Sequence, residues 1–154
     1  MKKINEKSSV WYEKYKPQCI EDLIIPDDLK NKLQVMVNKK DLPNLGLFSS
    51  NPGTGKSSTC NAVLSELNTE SIWINGSLSS GIDVLRGQIQ KFASTGSLDD
   101  ELKYVVIDEA DYLNSNSTQP AFRGFLDEFS SNCRFIFTGN YKDKLIEPLI
   151  SRLQ

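Results

Sequence analysis

The sequence contains no histidine and only three cysteines among its 154 residues. Cys19, Cys60 and Cys133 are widely spaced, and without histidine they cannot form the usual ligand patterns of a zinc site. We therefore interpret them as reduced thiols, as expected of a cytosolic protein.

Long hydrophobic runs are also missing. No stretch approaches the ~20 apolar residues that a membrane-spanning helix needs, and no apolar run follows the lysines near the N-terminus. The sequence therefore predicts a cytoplasmic protein with no membrane partner. The formal net charge is only −2, which gives no general attraction to nucleic acid, so any contact with DNA has to be local.

The composition is that of a globular protein, with 38% hydrophobic and 25% charged residues. Its length suits a single domain that can bury a substantial core. Hydrophobic segments predict strands at residues 45–48, 71–75, 103–107 and 134–138. Helical patterns cover residues 56–67, 82–94 and 117–129, and a short leucine-rich helix is predicted to start near Asp143.

Strands that alternate with helices of this length imply parallel pairing and an α/β sandwich with a mostly parallel central sheet. In such sheets ligands collect at the carboxyl ends of the strands. The polar motifs of this sequence follow the predicted strands, so we expect them to meet at one edge of the sheet.

A glycine-rich loop lies between the first predicted strand and the first predicted helix. Residues 50–57 read S-N-P-G-T-G-K-S, where the P-loop pattern is G-x-x-x-x-G-K-[ST]; Gly53 and Gly55 supply the backbone freedom nearest the phosphates. Backbone amides and the helix dipole can surround phosphate oxygens, Lys56 can reach the β and γ phosphates, and Ser57 can hold Mg²⁺. A Gly/Ser-rich turn ahead of an ordinary helix is the alternative. The predicted nucleotide contacts here are Asn51, Pro52, Gly53, Thr54, Gly55, Lys56, Ser57 and Ser58.

Two adjacent carboxylates, Asp108 and Glu109, follow the third predicted strand, where an ordinary loop more often has Gly, Asn or Ser. This is the Walker B arrangement, in which Asp108 completes the Mg²⁺ sphere, through water, and Glu109 orients and deprotonates the attacking water. A solvated acidic turn is the alternative. The presence of Lys56 and Ser57 in the right chain order argues against that alternative.

Three other polar residues are weak signals when taken singly. Asn140 follows the fourth strand and can hydrogen-bond the γ phosphate or the attacking water, while Asn75 ends the second strand; each is usually just a turn residue. Arg152 is one of only four arginines. It is either a solvated arginine at a helix end or a guanidinium that stabilises phosphoryl-transfer charge in a neighbouring subunit.

Taken together, these motifs resemble those of the AAA+ ATPases, and more narrowly the sliding-clamp loader ATPase subunits of the replication factor C small-subunit and T-even-type phage kind. Residues 108–111 reproduce the family's D-E-A-D. Residues 11–17, W-Y-E-K-Y-K-P, resemble its W-x-E-K-Y-R-P; residues 74–77 and 81–86 resemble N-A-S-D…R-G-I-D-x-x-R; residues 148–153 resemble P-L-x-S-R-C, with leucine in place of the cysteine.

The resemblance implies a P-loop NTPase three-layer sandwich and an ATPase that uses ATP and Mg²⁺ to open a sliding clamp and load it on primer–template DNA. Its implied partners are other loader subunits in a ring, the clamp and that DNA. A phage-encoded protein of this kind would act in the host cytoplasm.

The resemblance also implies roles for individual residues. Asn140 becomes a sensor of the γ phosphate and Arg152 an arginine finger that acts in trans. Asn75 would hold Glu109 away from water until DNA is bound. The remaining implied positions are Tyr12 and Tyr15 beside the adenine, Gln119 linking the Walker B region to the DNA-binding helices, and Ser79, Ser80, Ile82 and Arg86 against the template backbone. For this last group, a solvated helix start is the alternative.

We expect residues 1–25 to flank the adenine site and residues 26–154 to form the ATPase core. Family members continue past the S-R-C segment into a helical lid and a collar domain, whereas this sequence stops at Gln154, which suggests a fragment or a truncated reading frame. A nucleotide-binding module with little hydrolysis of its own is therefore a second hypothesis. An AAA+ helicase loader or initiator is disfavoured by the K-Y-K-P segment, and a DEAD-box helicase by the missing S-A-T motif and second RecA-like domain.

Overall fold

The computed structural model describes residues 15–40, 42–78, 81–95 and 101–154. Within these ranges the strands are β1 (Leu45–Phe48), β2 (Ser71–Asn75), β3 (Lys103–Asp108) and β4 (Cys133–Gly139). The helices are α1 (Asp27–Asn38), α2 (Lys56–Leu67), α3 (Ile82–Ser94), α4 (Thr118–Glu128) and the one-turn α5 (Glu147–Ile150). Single turns of 3-10 helix lie at Ile20–Asp22, Ala110–Tyr112 and Lys142–Lys144.

The strands of the described sheet all run parallel, in the order β1-β4-β3-β2. Parallel neighbours need crossover connections, and helices supply them. The chain passes from β1 through α2 to the far edge at β2, then returns strand by strand through α3 and α4. Because the loops after β1 and β4 leave toward opposite faces, a crevice opens between the carboxyl ends of these two neighbouring strands.

Alternation along the central strands divides the core into two halves. On β3, Val105 and Ile107 pack with α3, α4 and α5, whereas Tyr104 and Val106 pack with α1 and α2. Each of these side chains is at most 2% exposed. Helices therefore cover both faces of the sheet, and the described residues form the three-layer α/β sandwich with a parallel sheet that the sequence predicts.

Most predicted elements are found at their predicted places. The strands at 45–48 and 71–75 and the helices at 56–67 and 82–94 agree at both ends. β3 is one residue longer than predicted, β4 extends by one residue at each end, and α4 is shorter by one residue at each end. Differences of this size are ordinary at the ends of elements.

The short helix predicted to start near Asp143 is wrong in its position. Lys142–Lys144 form a single 3-10 turn, and α5 begins only after Ile146. The cause is Gln119, whose side-chain amide donates to the Lys144 carbonyl at 3.0 Å and accepts the Ile146 N–H at 2.8 Å. These two hydrogen bonds hold the intervening backbone extended, so a helix cannot pass through it.

Helix α1 is missing from the sequence prediction. Pro26 precedes it, and Asp27 and Asp28 lie in its first turn, where carboxylates favour the helix dipole. Leu33 and Val37 are buried in the cluster that also contains the apolar side of α2. The four-residue spacing of these two side chains, together with the proline and the acidic first turn, was the available signal.

Part of the predicted N-terminal segment packs into the same layer. Ile20 is fully buried and Leu23 is 5% exposed, and both belong to the cluster with α1 and α2. The Ile20 N–H also donates to the Glu66 carboxylate at 2.6 Å. The chain from Ile20 onward is therefore anchored to the layer formed by α1 and α2, while residues 1–14 lie outside the described ranges.

Replacing Gln119 by alanine should destabilise the fold. The side chain is 1% exposed and bonds a third backbone group, donating to the Leu113 carbonyl at 2.9 Å. Gln119→Ala leaves these buried groups unpaired, so we expect the free energy of unfolding to fall by about 2–4 kcal/mol in urea denaturation. Gln90→Ala, at an exposed position on α3, should change it by less than about 0.5 kcal/mol. Equal losses in the two variants would contradict this role.

Candidate nucleotide-binding site

The loop between β1 and α2 has a backbone that requires glycine at two positions. Gly53 has φ 74° and Gly55 has φ 89°, both in the left-handed region that side chains rarely adopt. A Cβ at either position would meet no atom within 4 Å, so the requirement comes from conformation and not from space. Gly55 directly precedes α2, and the loop therefore delivers Lys56 and Ser57 to the first turn of that helix.

The Lys56 ammonium lies in the crevice among neutral oxygen atoms. Its Nζ donates to Asn140 Oδ1 at 2.9 Å, to the Asn51 carbonyl at 3.2 Å, and to the Ser49 carbonyl and Thr54 Oγ1 at 3.4 Å each. None of these four acceptors carries a charge. The positive charge of Lys56 is therefore held in place without being neutralised by them.

The contact with Lys56 also sets the orientation of the Asn140 side chain. An ammonium can only donate, so the amide oxygen of Asn140 faces Lys56 and its NH₂ group points the other way. Lys56 and Asn140 are 84 positions apart in the sequence. The parallel pairing of β1 with β4 brings them together across the crevice.

Asp108 at the end of β3 contacts Ser57, and these two are the residues that the sequence analysis predicts as Mg²⁺ ligands. The Ser57 hydroxyl lies 3.2 Å from each carboxylate oxygen of Asp108. A hydroxyl and a carboxylate are oxygen donors of the kind that Mg²⁺ prefers. Nowhere in the described ranges, this edge of the sheet included, is a group of three or more acidic or cysteine side chains placed to hold a metal ion.

Thr138, which sequence reasoning missed, holds the other side of Asp108. Thr138 is fully buried on β4, and its hydroxyl donates to Asp108 Oδ1, which also accepts the Glu109 backbone N–H at 3.2 Å. The register pairs Ile107 with Phe137, which places Asp108 and Thr138 next along the same two strands. Only the register of β3 against β4 reveals this contact, and the sequence alone does not give that register.

Glu109 adopts a left-handed backbone conformation, with φ 55° and ψ 44°. Such a conformation is uncommon for a residue with a side chain, and Lys40 and Asn68 share it just past the ends of α1 and α2. Its carboxylate is half-buried and makes no hydrogen bond or ion pair with any residue that the structure describes. The Glu109 side chain is therefore not held by a hydrogen bond or ion pair to any described residue.

Asn75 lies at the same sheet edge, but its side chain forms hydrogen bonds within its own loop. The amide oxygen accepts the Ser77 N–H at 2.8 Å and the Ser77 hydroxyl at 2.7 Å. The neighbouring Gly76 approaches the Walker B segment instead: its N–H donates to the Asp108 carbonyl at 2.7 Å, and a Cβ there would lie 2.5 Å from the Glu109 carbonyl oxygen. A contact between Asn75 and Glu109 stays a prediction.

Arg152 is engaged within its own chain. Its guanidinium contacts both carboxylate oxygens of Asp127, at 2.9 and 3.1 Å, and donates to the Pro148 carbonyl at 2.8 Å. The hydrogen bonds from Arg152 lower the pKa of the Asp127 carboxyl. The backbone of Gln154, two residues on, bonds to residues 44 and 46 at the start of β1. Arg152 therefore lies toward the end of the sheet opposite Lys56.

The other residues predicted to contact nucleotide or DNA lie partly within and partly outside the described ranges. Tyr12, Ser79 and Ser80 lie outside the described residues. Tyr15 is exposed. The remaining described positions are Ile82, half-buried at the start of α3, and Arg86, exposed with its guanidinium carbon 6.0 Å from the Phe125 ring centroid. Among the described helices, none has the length and apolar character needed to cross a bilayer.

Known proteins resemble this chain in sequence. The sliding-clamp-loader large subunit of Escherichia phage RB69 is 39% identical over 149 residues, which is 97% of this chain and 46% of that protein. The same subunit of Enterobacteria phage T4 is 37% identical over the same shares. The replication factor C small subunit of Methanosarcina barkeri is 38% identical over 153 residues, 95% of this chain and 45% of that protein. The chain thus spans about half the length of these curated relatives.

Solved structures agree on the fold. The Holliday junction branch migration motor RuvB of Thermotoga maritima superposes with a TM-score of 0.67 at 20% identity, over 90% of this chain and 46% of that one.

The family model described as "ATPase family associated with various cellular activities (AAA)" matches residues 46–154, which is more than two thirds of the chain. The chain therefore belongs to the AAA family of ATPases.

Proposed function

We propose that this chain is the ATPase core of a sliding-clamp loader subunit, which binds ATP with Mg²⁺ and hydrolyses it to open the clamp and load it on primer–template DNA. The observation that carries the proposal is the meeting of Lys56, Ser57, Asp108 and Asn140 in one hydrogen-bonded crevice. Membership of the AAA family supports nucleotide binding, and the sequence similarity to clamp-loader subunits supports the choice of this function within the family.

ATP binding uses the loop and the start of α2. The phosphates lie against the backbone amides of Gly53 to Lys56 and the positive end of the helix dipole, with Asn51, Pro52, Thr54 and Ser58 along the same loop and first turn. Lys56 exchanges its neutral acceptors for phosphate oxygens, and these contacts are stronger than the ones they replace because the acceptor is then charged as well as the donor. The adenine lies beside the N-terminal segment, residues 1–25, with Tyr12 and Tyr15 as its contacts, and residues 26–154 form the core.

Ser57 and Asp108 are the residues that would hold Mg²⁺. The fit rests on the chemistry of the pair, because one hydroxyl and one carboxylate leave most of the coordination sphere to water and phosphate, as Mg²⁺ sites usually do. A bound Mg²⁺ would supply positive charge that offsets the charge of the phosphates. Thr138 and the Glu109 amide keep the Asp108 carboxylate oriented, as outer-shell partners commonly do for metal ligands.

Hydrolysis needs a base, a γ-phosphate contact and a source of positive charge. Glu109 accepts a proton from the attacking water, for which its uncommitted carboxylate is suited. The NH₂ group of Asn140 donates to the γ phosphate or to that water. Arg152 completes the site of a neighbouring subunit in the ring, since it lies far from the Lys56 of its own chain, and it has to leave Asp127 to do so.

We infer that the loops around the same sheet edge couple ATP hydrolysis to DNA and the clamp. We place the template-strand backbone against Ser79, Ser80, Ile82 and Arg86, because hydroxyls, amides and an arginine at a helix start suit phosphate contacts. Asn75 and Gln119 then relay DNA binding to Glu109. The partners are other loader subunits, the clamp and primer–template DNA, and the place of action is the cytoplasm, or the host cytoplasm for a phage-encoded protein.

A nucleotide-gated binding module with little hydrolysis is the second candidate. The contact that favours it is the ion pair of Arg152 with Asp127 in the same chain, which must break before the guanidinium can reach a neighbouring site. The two candidates differ in a steady-state assay with partner subunits, clamp and primer–template DNA. No turnover under these conditions would support the binding module.

The first test of the enzyme is Glu109→Gln. Removing the base should reduce the hydrolysis rate in the assembled loader by about 10²–10⁴-fold while ATP binding is retained, because the amide cannot accept the proton. Measuring ATP turnover with clamp and primer–template DNA, and ATP affinity by calorimetry, separates the two effects. The control Glu128→Gln, at an exposed position at the end of α4, should leave both unchanged. Full turnover in Glu109→Gln would rule out this residue as the base.

The second test is Arg152→Ala. ATP affinity of the isolated chain should barely change, because the residue lies away from its own Lys56. Hydrolysis in the assembled ring should fall by about 10³–10⁵-fold, the usual value of an arginine supplied in trans. Arg123→Ala removes an exposed arginine from the helix that carries Asp127 and should have little effect. A ring of Arg152→Ala subunits that hydrolyses normally would disprove the finger assignment.

A further inference from the structure

Asp111 is a buried carboxylate that the proposed mechanism does not use. It lies in the 3-10 turn Ala110–Tyr112 directly after Glu109 and is only 6% exposed. One of its oxygens, Oδ2, is buried and has no hydrogen-bond partner in the part of the chain that the structure describes. Burying a carboxylate with one oxygen unpaired costs free energy, so the contacts of its other oxygen need an explanation.

The other oxygen of Asp111 contacts the backbone that carries Asn140. Oδ1 accepts the Asn140 N–H at 3.2 Å. The end of β4 passes so close to this carboxylate that a Cβ on Gly139 would lie 2.7 Å from Oδ1 and 3.2 Å from the Phe48 ring. Gly139 is therefore needed for the contact, and its backbone is wedged between Asp111 and β1.

The contact continues through Asn140 to the phosphate-binding loop. Asp111 accepts a hydrogen bond from the backbone N–H of Asn140. The side-chain oxygen of Asn140 in turn accepts a hydrogen bond from Lys56. A negative and a positive group thus lie at the two ends of a short hydrogen-bonded chain, and such chains strengthen one another in a low-dielectric setting. Because Asp111 follows Glu109 by two residues, the same turn fixes the relative position of the base and of Asn140.

We propose that Asp111 is a positioning residue that holds Asn140 against the γ-phosphate site, acting through the Asn140 backbone N–H and not on the nucleotide itself. The inference rests on the proposed function, because it gives Asn140 a part in hydrolysis. Asp111→Ala removes the acceptor and releases the Asn140 backbone. Asp111→Asn keeps an oxygen acceptor while it removes the charge, so it tests the hydrogen bond separately from the charge.

The positioning itself is measured without nucleotide. In ¹H–¹⁵N spectra of the chain, Asp111→Ala should move the Asn140 amide resonance and speed its hydrogen exchange, whereas Asp111→Asn should keep most of the protection. Asp143→Ala removes an exposed carboxylate three residues beyond Asn140 and should leave the amide unchanged. If Asp111→Ala leaves that amide resonance and its exchange as in the original chain, the proposal is overturned. Should Asp111→Ala not fold, loss of protection in Asp111→Asn overturns the proposal and retention supports it.

The catalytic consequence is measured in the assembled loader with clamp and primer–template DNA. Asp111→Ala should lower kcat for ATP by about 10–100-fold with KM within about 2-fold, because a misplaced group costs rate more than ground-state binding. In the double variant with Asn140→Ala, the rate should be no lower than in Asn140→Ala alone. Rate losses that multiply would show an independent role for Asp111 and contradict the proposal. A loader that fails to hydrolyse ATP with the unaltered chain would refute the proposed function, while the amide measurement still decides the positioning.

Discussion

Two opposite charges share the crevice of this protein, and neutral groups hold each of them in place. Lys56 donates to an asparagine oxygen, two carbonyls and a hydroxyl, whereas Asp108 accepts from two hydroxyls and an amide. Neutral partners fix the two side chains without cancelling their charges. The ammonium thus stays suited to bind phosphate and the carboxylate to bind a cation. The rest of the fold holds these two groups in place.

The parallel sheet determines where the two charged groups lie. Parallel pairing brings the carboxyl ends of β1, β4 and β3 to one edge, and side chains on both faces of β3 and β4 are buried under helices. A buried, doubly covered strand has little freedom to shift. Asp108 therefore ends, and Asn140 directly follows, a strand that is buried on both faces, while Lys56 comes from the start of a helix whose preceding loop depends on left-handed glycines.

The sequence predicted those features that depend on residues close together in the chain. The phosphate-binding loop, the Asp108–Glu109 pair and most strands and helices follow from hydrophobic runs, glycines and the placement of carboxylates. Contacts between distant segments could not be predicted in this way. Thr138 looks like an ordinary strand residue until the register places it beside Asp108, and the position of α5 depends on the side chain of Gln119. The cis engagement of Arg152 is likewise a tertiary contact that no motif encodes.

The central claim is that the crevice binds Mg·ATP through Lys56. Isothermal titration calorimetry of this chain with Mg·ATP tests it most directly, with Lys56→Ala as the variant and Lys91→Ala, at an exposed position on α3, as the control. The account predicts stoichiometric binding that weakens by about 10²-fold in Lys56→Ala, the value of a charge-assisted contact, and is unchanged in Lys91→Ala. Equal affinity for Mg·ATP in Lys56→Ala and the unaltered chain would contradict it.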